Sequence, residues 1–227
     1  MDFHHFISNI KFLACLTDDE INDIKKITIE KRFSKNQVIL QEEDTPHYLY
    51  FVYSGKVKVV QRSGDGKERM IAIHKRGDFF GEMAALDGMT APATVIAIED
   101  AKVGFITRAD FENHLLKNRR VLMEIIAMLC GRLREAWRTL KMMSFADAEK
   151  RVRIILKNME EQFGIKDQRG TIINFKLTHK DIAEFASISR ETVTRTIKKL
   201  VDAGEIEILE NRRFLLKPAF LKNNDPL

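Results

Sequence analysis

Ser189-Arg190-Glu191-Thr192-Val193-Thr194-Arg195 carries the most legible chemistry in this chain. An arginine guanidinium offers a planar fork of N–H donors that matches O6 and N7 of guanine, and a carboxylate accepts from N4 of cytosine. Arg190 and Glu191 at the start of a helix, with Arg195 a turn later, therefore hold the groups that read base edges in a major groove. Thr194 and Lys198 fall on the same outer face, and His179 opens the helix before it. Arg212 and Arg213, beside Asn211, suit contacts to phosphate, which set register without reading sequence. No Ser/His/Asp or Cys/His set, no metal-ligand cluster and no P-loop can be assembled, so neither catalysis nor a bound metal is expected.

Two helices must present these side chains. Residues 178–186 open with a capping box, Thr178 with Asp181, and send Ile182 and Phe185 inward. Ser187-Ile188-Ser189 breaks the run, and Ser189 can cap a second helix over 190–203, where Val193, Ile197 and Leu200 form the buried stripe. This is helix-turn-helix spacing, and the hairpin expected over 206–216 adds a wing with Asn211, Arg212 and Arg213 at its tip. The competing reading is a ligand-binding or scaffolding protein whose winged helix contacts protein, its arginines merely solvating a turn. Charge favours nucleic acid: of the net +5, residues 148–227 hold 16 Lys+Arg against 12 Asp+Glu, leaving 22 against 21 before them.

The long stretch 118–143 links this module to what precedes it. Leu122, Ile126, Leu129, Leu133, Ala136, Leu140 and Met143 recur at spacings of four and three, a heptad seam, while Arg132, Arg134, Glu135, Arg138 and Lys141 lie off it. A narrow apolar stripe on a charged rod predicts a homodimer packed helix on helix; a core helix of a monomer is the alternative. After a break, Asp147 is a plausible N-cap for a helix over 148–163, followed by a polar loop over 164–170 and a strand over 171–175.

Residues 6–26 read as helical: Phe6, Ile10, Leu13 and Leu16 share a face, and Thr17 with Glu20 makes a capping box. From about residue 27 to 107 the period changes to two, with β-rich runs such as 48–53 and 71–73 broken at Ser54-Gly55, Ser63-Gly64-Asp65-Gly66, Arg76-Gly77-Asp78 and Asp87-Gly88. Short strands at such spacing predict a β-roll of the jelly-roll kind, with Gly66 at positive φ in a hairpin. A short helix then starts at Arg108. The fold class is α+β, in three parts: a sensing β-roll over 1–117, a dimerisation helix over 118–144 and a winged helix-turn-helix over 145–227.

At 227 residues, with 44% hydrophobic and 31% charged side chains, the chain can build two soluble domains. No apolar run approaches the roughly 18 residues of a membrane span, and Met1-Asp2-Phe3-His4-His5 lacks the features of a signal peptide, so the cytoplasm is expected. Cys15 and Cys130 stand far apart without a CxxC, which rules out a disulfide framework or a four-cysteine cluster within one chain and predicts two buried thiols.

Over residues 6–218 the chain resembles the Crp/Fnr family of bacterial transcription regulators. Gly81-Glu82-Met83-Ala84-Ala85-Leu86-Asp87-Gly88 followed by Ala93-Thr94-Val95 looks like the phosphate cassette of a cyclic-nucleotide-binding fold. Phe145-Ala146-Asp147 is similar to the family's hinge, and 189–195 looks like the recognition helix of its cyclic-AMP receptor branch. The resemblance implies a homodimer on an inverted repeat of TGTGA-like half-sites, with RNA polymerase as a further partner and no membrane. It also implies an effector site at Gly81, Glu82, Met83, Ala84, Ala91, Pro92, Ala136 and Trp137. There N–H groups after Gly81 would meet a phosphate, Glu82 a ribose hydroxyl and an arginine the charge. That arginine is absent: the family's Arg followed by Ser or Thr is here Ala91 and Pro92, and its adenine-holding Thr-Ser pair is Ala136 and Trp137. Cyclic AMP is therefore not expected as effector. Haem would draw on His74, His47 or His114; another small molecule held against Trp137, or no effector with Trp137 filling the pocket, are the remaining readings.

Overall fold

The computed structural model describes residues 3–8, 10, 12–45, 48–64, 66 and 68–222, and of Asn211 and Lys222 only the backbone. The expectations on Met1, Asp2, His47 and Asp65 lie outside the described residues. The chain forms two compact units, Met1–Leu133 and Arg134–Leu227, and the division falls within one long helix.

In the first unit α1 (Phe3–Ser8) and α2 (Asp18–Ile27) come first. Glu20 accepts from the Thr17 N–H at 2.7 Å while Thr17 accepts from the Glu20 N–H, so the expected capping box is complete. Among the described residues eight strands follow: β1 (Ile29–Phe33), β2 (Val38–Leu40), β3 (Tyr48–Ser54), β4 (Lys56–Arg62), β5 (Glu68–Lys75), β6 (Phe79–Phe80), β7 (Thr94–Ala97) and β8 (Ala101–Thr107). The short α3 (Glu82–Asp87) lies between β6 and β7. All pair antiparallel, in two four-stranded sheets ordered β1-β8-β3-β6 and β2-β7-β4-β5. This is the expected β-roll, and Gly66 has φ 78°.

Strand β3 shows why polar alternation is missing from 49–53. Tyr50 and Val52 point into the roll with Phe33, Phe80 and Val95, whereas Leu49, Phe51 and Tyr53 face a second core formed with Phe6, Ile24 and Phe111. Both faces of the strand are buried, so both are apolar. The chain then passes through α4 (Arg108–Asp110) and a π-helix, Phe111–Leu116, into α5 (Arg119–Phe145). Val121 and Ile125 of α5 are buried in that second core, with Met128 and Leu129 packed against it.

In the second unit the end of α5 is followed by α6 (Ala148–Phe163), capped by Asp147, which accepts from the Lys150 N–H at 2.8 Å. Then come β9 (Gly164–Asp167), β10 (Gly170–Ile173), α7 (His179–Ala186), α8 (Arg190–Asp202), β11 (Ile206–Ile208), β12 (Phe214–Leu216) and α9 (Pro218–Lys222). The strands form one antiparallel sheet, β11-β12-β10-β9. The polar loop expected over 164–170 is in fact half of a hairpin. Its pairing uses backbone groups, and its polar side chains sit on an edge strand facing solvent, where apolar alternation is not required. The sequence expectation also fails at Cys130, which is exposed, because it lies off the face of α5 that packs on the roll; Cys15 is half-buried.

Arg153 on α6 ties this unit together. Its guanidinium donates to both oxygens of Glu205, at 2.6 and 2.9 Å, and to Glu149, whose other oxygen receives Lys199 of α8 at 2.6 Å. The Arg153 hydrogen bonds hold the Glu205 carboxyl below the usual carboxylate range. Among the described residues no helix is long and apolar enough to cross a membrane.

Candidate functional site

The turn between α7 and α8 is built from three local choices. Thr178 caps α7, its hydroxyl and the Asp181 carboxylate completing the reciprocal box with Asp181 bound to the Thr178 N–H at 2.8 Å. Ser187 ends the helix in the left-handed region at φ 50°, allowing the Ile188 N–H to return to Ala183 O at 3.2 Å. Ser189 then caps α8, accepting from the Thr192 N–H at 3.1 Å. Ile182, Val193, Ile197 and Leu200 are buried as expected, and Phe185 is half-buried. Arg190, Glu191, Thr194, Arg195 and Lys198 are all exposed on α8. Arg151 is a participant that sequence reasoning missed: its guanidinium donates to the carbonyls of Met143 at 2.7 Å, Ala146 at 3.0 Å and Ala186 at 3.4 Å. Those carbonyls belong to helix ends that have no partner of their own, and no sequence spacing reports such a contact.

The wing is the β11–β12 hairpin, tipped by a 3-10 turn, Glu210–Arg212. Arg212 adopts φ 58°, and the turn closes with the Leu209 N–H on Arg213 O at 2.8 Å. Arg212 and Arg213 are exposed; the side chain of Asn211 lies outside the described residues. Between wing and helices runs an open cleft of about 460 Å³, lined by Leu177, Thr178, His179, Lys180, Arg190, Ile208, Arg212 and Phe214. His179 Nδ1 lies 2.9 Å from Thr194 Oγ1, which donates to Arg190 O at 2.9 Å. Burial and then the charges of Arg190 and Arg212 hold the His179 pKa below its ordinary value. The fold thus gathers His179, Arg190 and Arg212 at one cleft, with Thr194 bonded to His179 behind it and Lys180 as an addition the sequence reading did not select.

In the roll, Gly81 precedes α3 at φ 80°; a side chain there would meet Tyr48 O at 2.6 Å and the Tyr50 ring at 2.8 Å. Glu82 is buried, and its carboxylate is paired with Arg132 of α5, which also donates to Phe79 O at 3.3 Å and lies 5.1 Å from the centre of the Phe79 ring. Sequence reasoning had placed Arg132 among solvated charges. The signal it lacked was that a carboxylate buried this fully requires a cation, which only the fold brings within reach. Ala84 is buried and Met83 half exposed.

Ala91 occupies the position of the missing arginine with its methyl buried in the roll core, its N–H on Asp44 O and its carbonyl on the Glu43 N–H, each at 2.9 Å. Pro92 is exposed, and its carbonyl accepts from Gln61 Nε2 at 3.1 Å. Burial, with Arg132, pushes the His74 pKa down to about 4, so this imidazole supplies no charge near neutral pH. His114 is exposed on the π-helix. Among the described residues no group of three or more His, Cys, Asp or Glu could hold a metal ion.

Along α5, Leu122, Ile126, Leu133, Ala136 and Leu140 are exposed, Leu129 is half-buried against the second core and Met143 is half-buried. Trp137 is exposed on the later stretch of the helix, within the second unit.

Two family models match the chain: a cyclic nucleotide-binding domain over residues 30–118 and a Crp-like helix-turn-helix domain over residues 146–223. The cyclic AMP receptor protein of Thermus thermophilus is 30% identical over 193 residues, covering 85% of this chain and 86% of that protein. A CRP-like cAMP-activated global transcriptional regulator of Mycobacterium tuberculosis is 26% identical over 184 residues, covering 81% and 82%. Among solved structures, FixK2 from Bradyrhizobium japonicum matches with a TM-score of 0.77 at 24% identity, covering 88% of this chain and 98% of that one, a likeness of fold.

The buried Glu82 carboxylate depends on Arg132, so the two partners are not equivalent. Arg132→Ala leaves a charge stranded and should destabilise the first unit by about 2 kcal/mol, whereas Glu82→Gln leaves a neutral amide and should cost about 1 kcal/mol. Denaturant unfolding of the full chain followed by circular dichroism checks the order; equal losses would show that the pair does not hold the carboxylate in place.

Proposed function

Because the chain belongs to the Crp/Fnr family of transcription regulators, we propose that its dimer reads an inverted-repeat DNA site through Arg190, Glu191 and Arg195 of α8. As a member it is a DNA-binding, dimerising regulator rather than an enzyme, with a sensor domain of the cyclic-nucleotide-binding kind. The observation that carries the finer reading is the exposure of those three side chains on a helix whose other face is fully packed and whose first turn is capped by Ser189. Two arginines and a carboxylate suit guanine and cytosine edges, which fits TGTGA-like half-sites. Thr194, Lys198, His179, Arg212 and Arg213 surround them as phosphate contacts. RNA polymerase is the protein partner that such a bound regulator would engage. The functional division follows the chain: a sensor over 1–117, a dimerisation helix over 118–144 and a DNA-binding module over 145–227.

Dimerisation is assigned to α5 because Leu122, Ile126, Leu133 and Leu140 would otherwise leave a line of apolar side chains in water. Ala136 continues this line, with Leu129 and Met143 at its margins. The effector is a small molecule other than cyclic AMP, or none. What supports this is the burial of Ala91 where a cation would meet a phosphate, together with the engagement of Glu82 by Arg132.

Arg190→Ala and Arg195→Ala should each lose about 1–3 kcal/mol of binding to an inverted-repeat duplex and relax preference at a guanine, while Arg212→Ala weakens all sequences alike. Selection from a random duplex library reads this out, and unchanged preference in both variants would sink the assignment. Leu133→Glu combined with Leu140→Glu places charges in the proposed seam and should give a monomer by sedimentation; a dimer would move the interface elsewhere. Calorimetry of the full chain with micromolar cyclic AMP should show no saturable heat, and a saturable signal would mean that another group does the work of the arginine.

A further inference from the structure

Of the groups lining the cleft between the wing and α8, His179 is the one imidazole, the side chain whose ordinary titration range lies nearest neutral pH. A hydroxyl has a single proton, and the Thr194 proton is given to Arg190 O, the usual arrangement for a threonine within a helix. The imidazole must then donate Nδ1–H to Thr194, leaving Nε2 as its free atom. When the ring is neutral, Nε2 is a bare lone pair that cannot bond a phosphate oxygen. When the ring is protonated, Nε2–H is a charged donor, and the bond to Thr194 is unchanged.

The charges around the ring come from three elements. Alpha-helix α8 supplies Arg190 and the neighbouring Glu191, the wing supplies Arg212, and α7 itself supplies Lys180 and Asp181, the last committed to the Thr178 cap. Burial opposes a further positive charge in the free protein, and the Arg190 and Arg212 cations act in the same direction. We propose that His179 is a proton-gated phosphate contact: a DNA phosphate entering the cleft beside Arg190 and Arg212 offsets their repulsion, and the ring takes a proton from solvent and donates Nε2–H to the phosphate oxygen. This rests on the assignment of this face to DNA and adds a regulation to it.

The sign follows from linkage. The complex holds the proton more tightly than the free protein, so affinity is greatest below the free-protein pKa, falls as pH rises towards the pKa of the complex, and is flat above it. Because the contact is to phosphate, the effect does not depend on base sequence.

Fluorescence anisotropy of the full-length protein tests this on two labelled duplexes, one carrying a TGTGA inverted repeat and one of unrelated sequence, across about pH 6 to 8. Affinity for both should rise as pH falls, approaching about tenfold per pH unit per half-site at the steepest point. The salt slope should steepen by about one ion per half-site at the acid end. His179→Gln, which can still bond Thr194, should lose the slope, and His179→Arg should bind tightly throughout. A slope that persists in His179→Gln overturns the proposal and leaves the DNA assignment standing. A wild type that binds neither duplex at any pH overturns both. A slope present on both duplexes with no preference between them supports the proton gate and counts against base readout alone.

Discussion

Where α8 sits in its unit depends first on the bidentate pair of Arg153 and Glu205. The two side chains are only 15% and 11% exposed, so each charge is costly unless the other is in place, and the planar fork accepts one geometry. Glu205 stands at the end of the turn from α8 into β11, and its backbone is bound at both ends, N–H to Leu200 O and carbonyl to the Lys217 N–H, each at 3.0 Å. Fixing its carboxylate on α6 therefore fixes the end of α8 and the root of the wing together. Glu149 extends the network to Lys199, and the guanidinium also lies 5.6 Å from the centre of the fully buried Phe220 ring, which docks α9. Arg151 does the complementary task at the other end by satisfying carbonyls at the ends of α5 and α7. A helix that reads bases must hold its side chains to fractions of an ångström, and these two arginines are how α6 supplies that constraint.

The roll uses the same device for a different purpose. Glu82 is 4% exposed in its side chain while Arg132 is 38% exposed, so this pair is buried on one side and wet on the other. Its guanidinium also engages the Phe79 carbonyl and ring, which adds packing to the charge. A ligand hydroxyl that sought Glu82 would have to share or displace an intramolecular partner. Ala91 is buried in the roll core, and the His74 imidazole carries no charge near neutral pH. Gly81 opens α3 in the left-handed region, and the buried acid that follows it is already paired within the fold.

Local rules made most of this architecture legible in advance. The capping boxes at Thr17 and Thr178, the cap at Ser189 and the stripe of Val193, Ile197 and Leu200 are short-range features, and they stand as expected. The two-sheet roll followed from strand lengths and turn residues. What escaped were pairings across long sequence separations: Arg132 with Glu82, Arg153 with Glu205, and Arg151 with Ala186. On a helix all three arginines look like ordinary surface charges, and only tertiary structure shows which of them faces a buried acid or an unpaired carbonyl. The β9 hairpin escaped for the opposite reason, since an exposed edge strand carries no apolar alternation to detect.

Helix α5 faces two demands that its period cannot satisfy separately. Val121 and Ile125 are committed to the second core, and Leu122 and Ile126, each one residue further on, are exposed. An α-helix turns about 100° per residue, so adjacent positions can serve different faces over a short length. A heptad stripe drifts by about 20° per repeat on a straight helix, however, and sooner or later crosses the packed face. Leu129 is where this happens: it belongs to the heptad pattern and also packs against the second core. Beyond it, Leu133 and Leu140 are exposed. The proposed dimer stripe and the second core thus share one side chain, so repacking of that core around Leu129 would alter the surface that α5 offers to a partner helix.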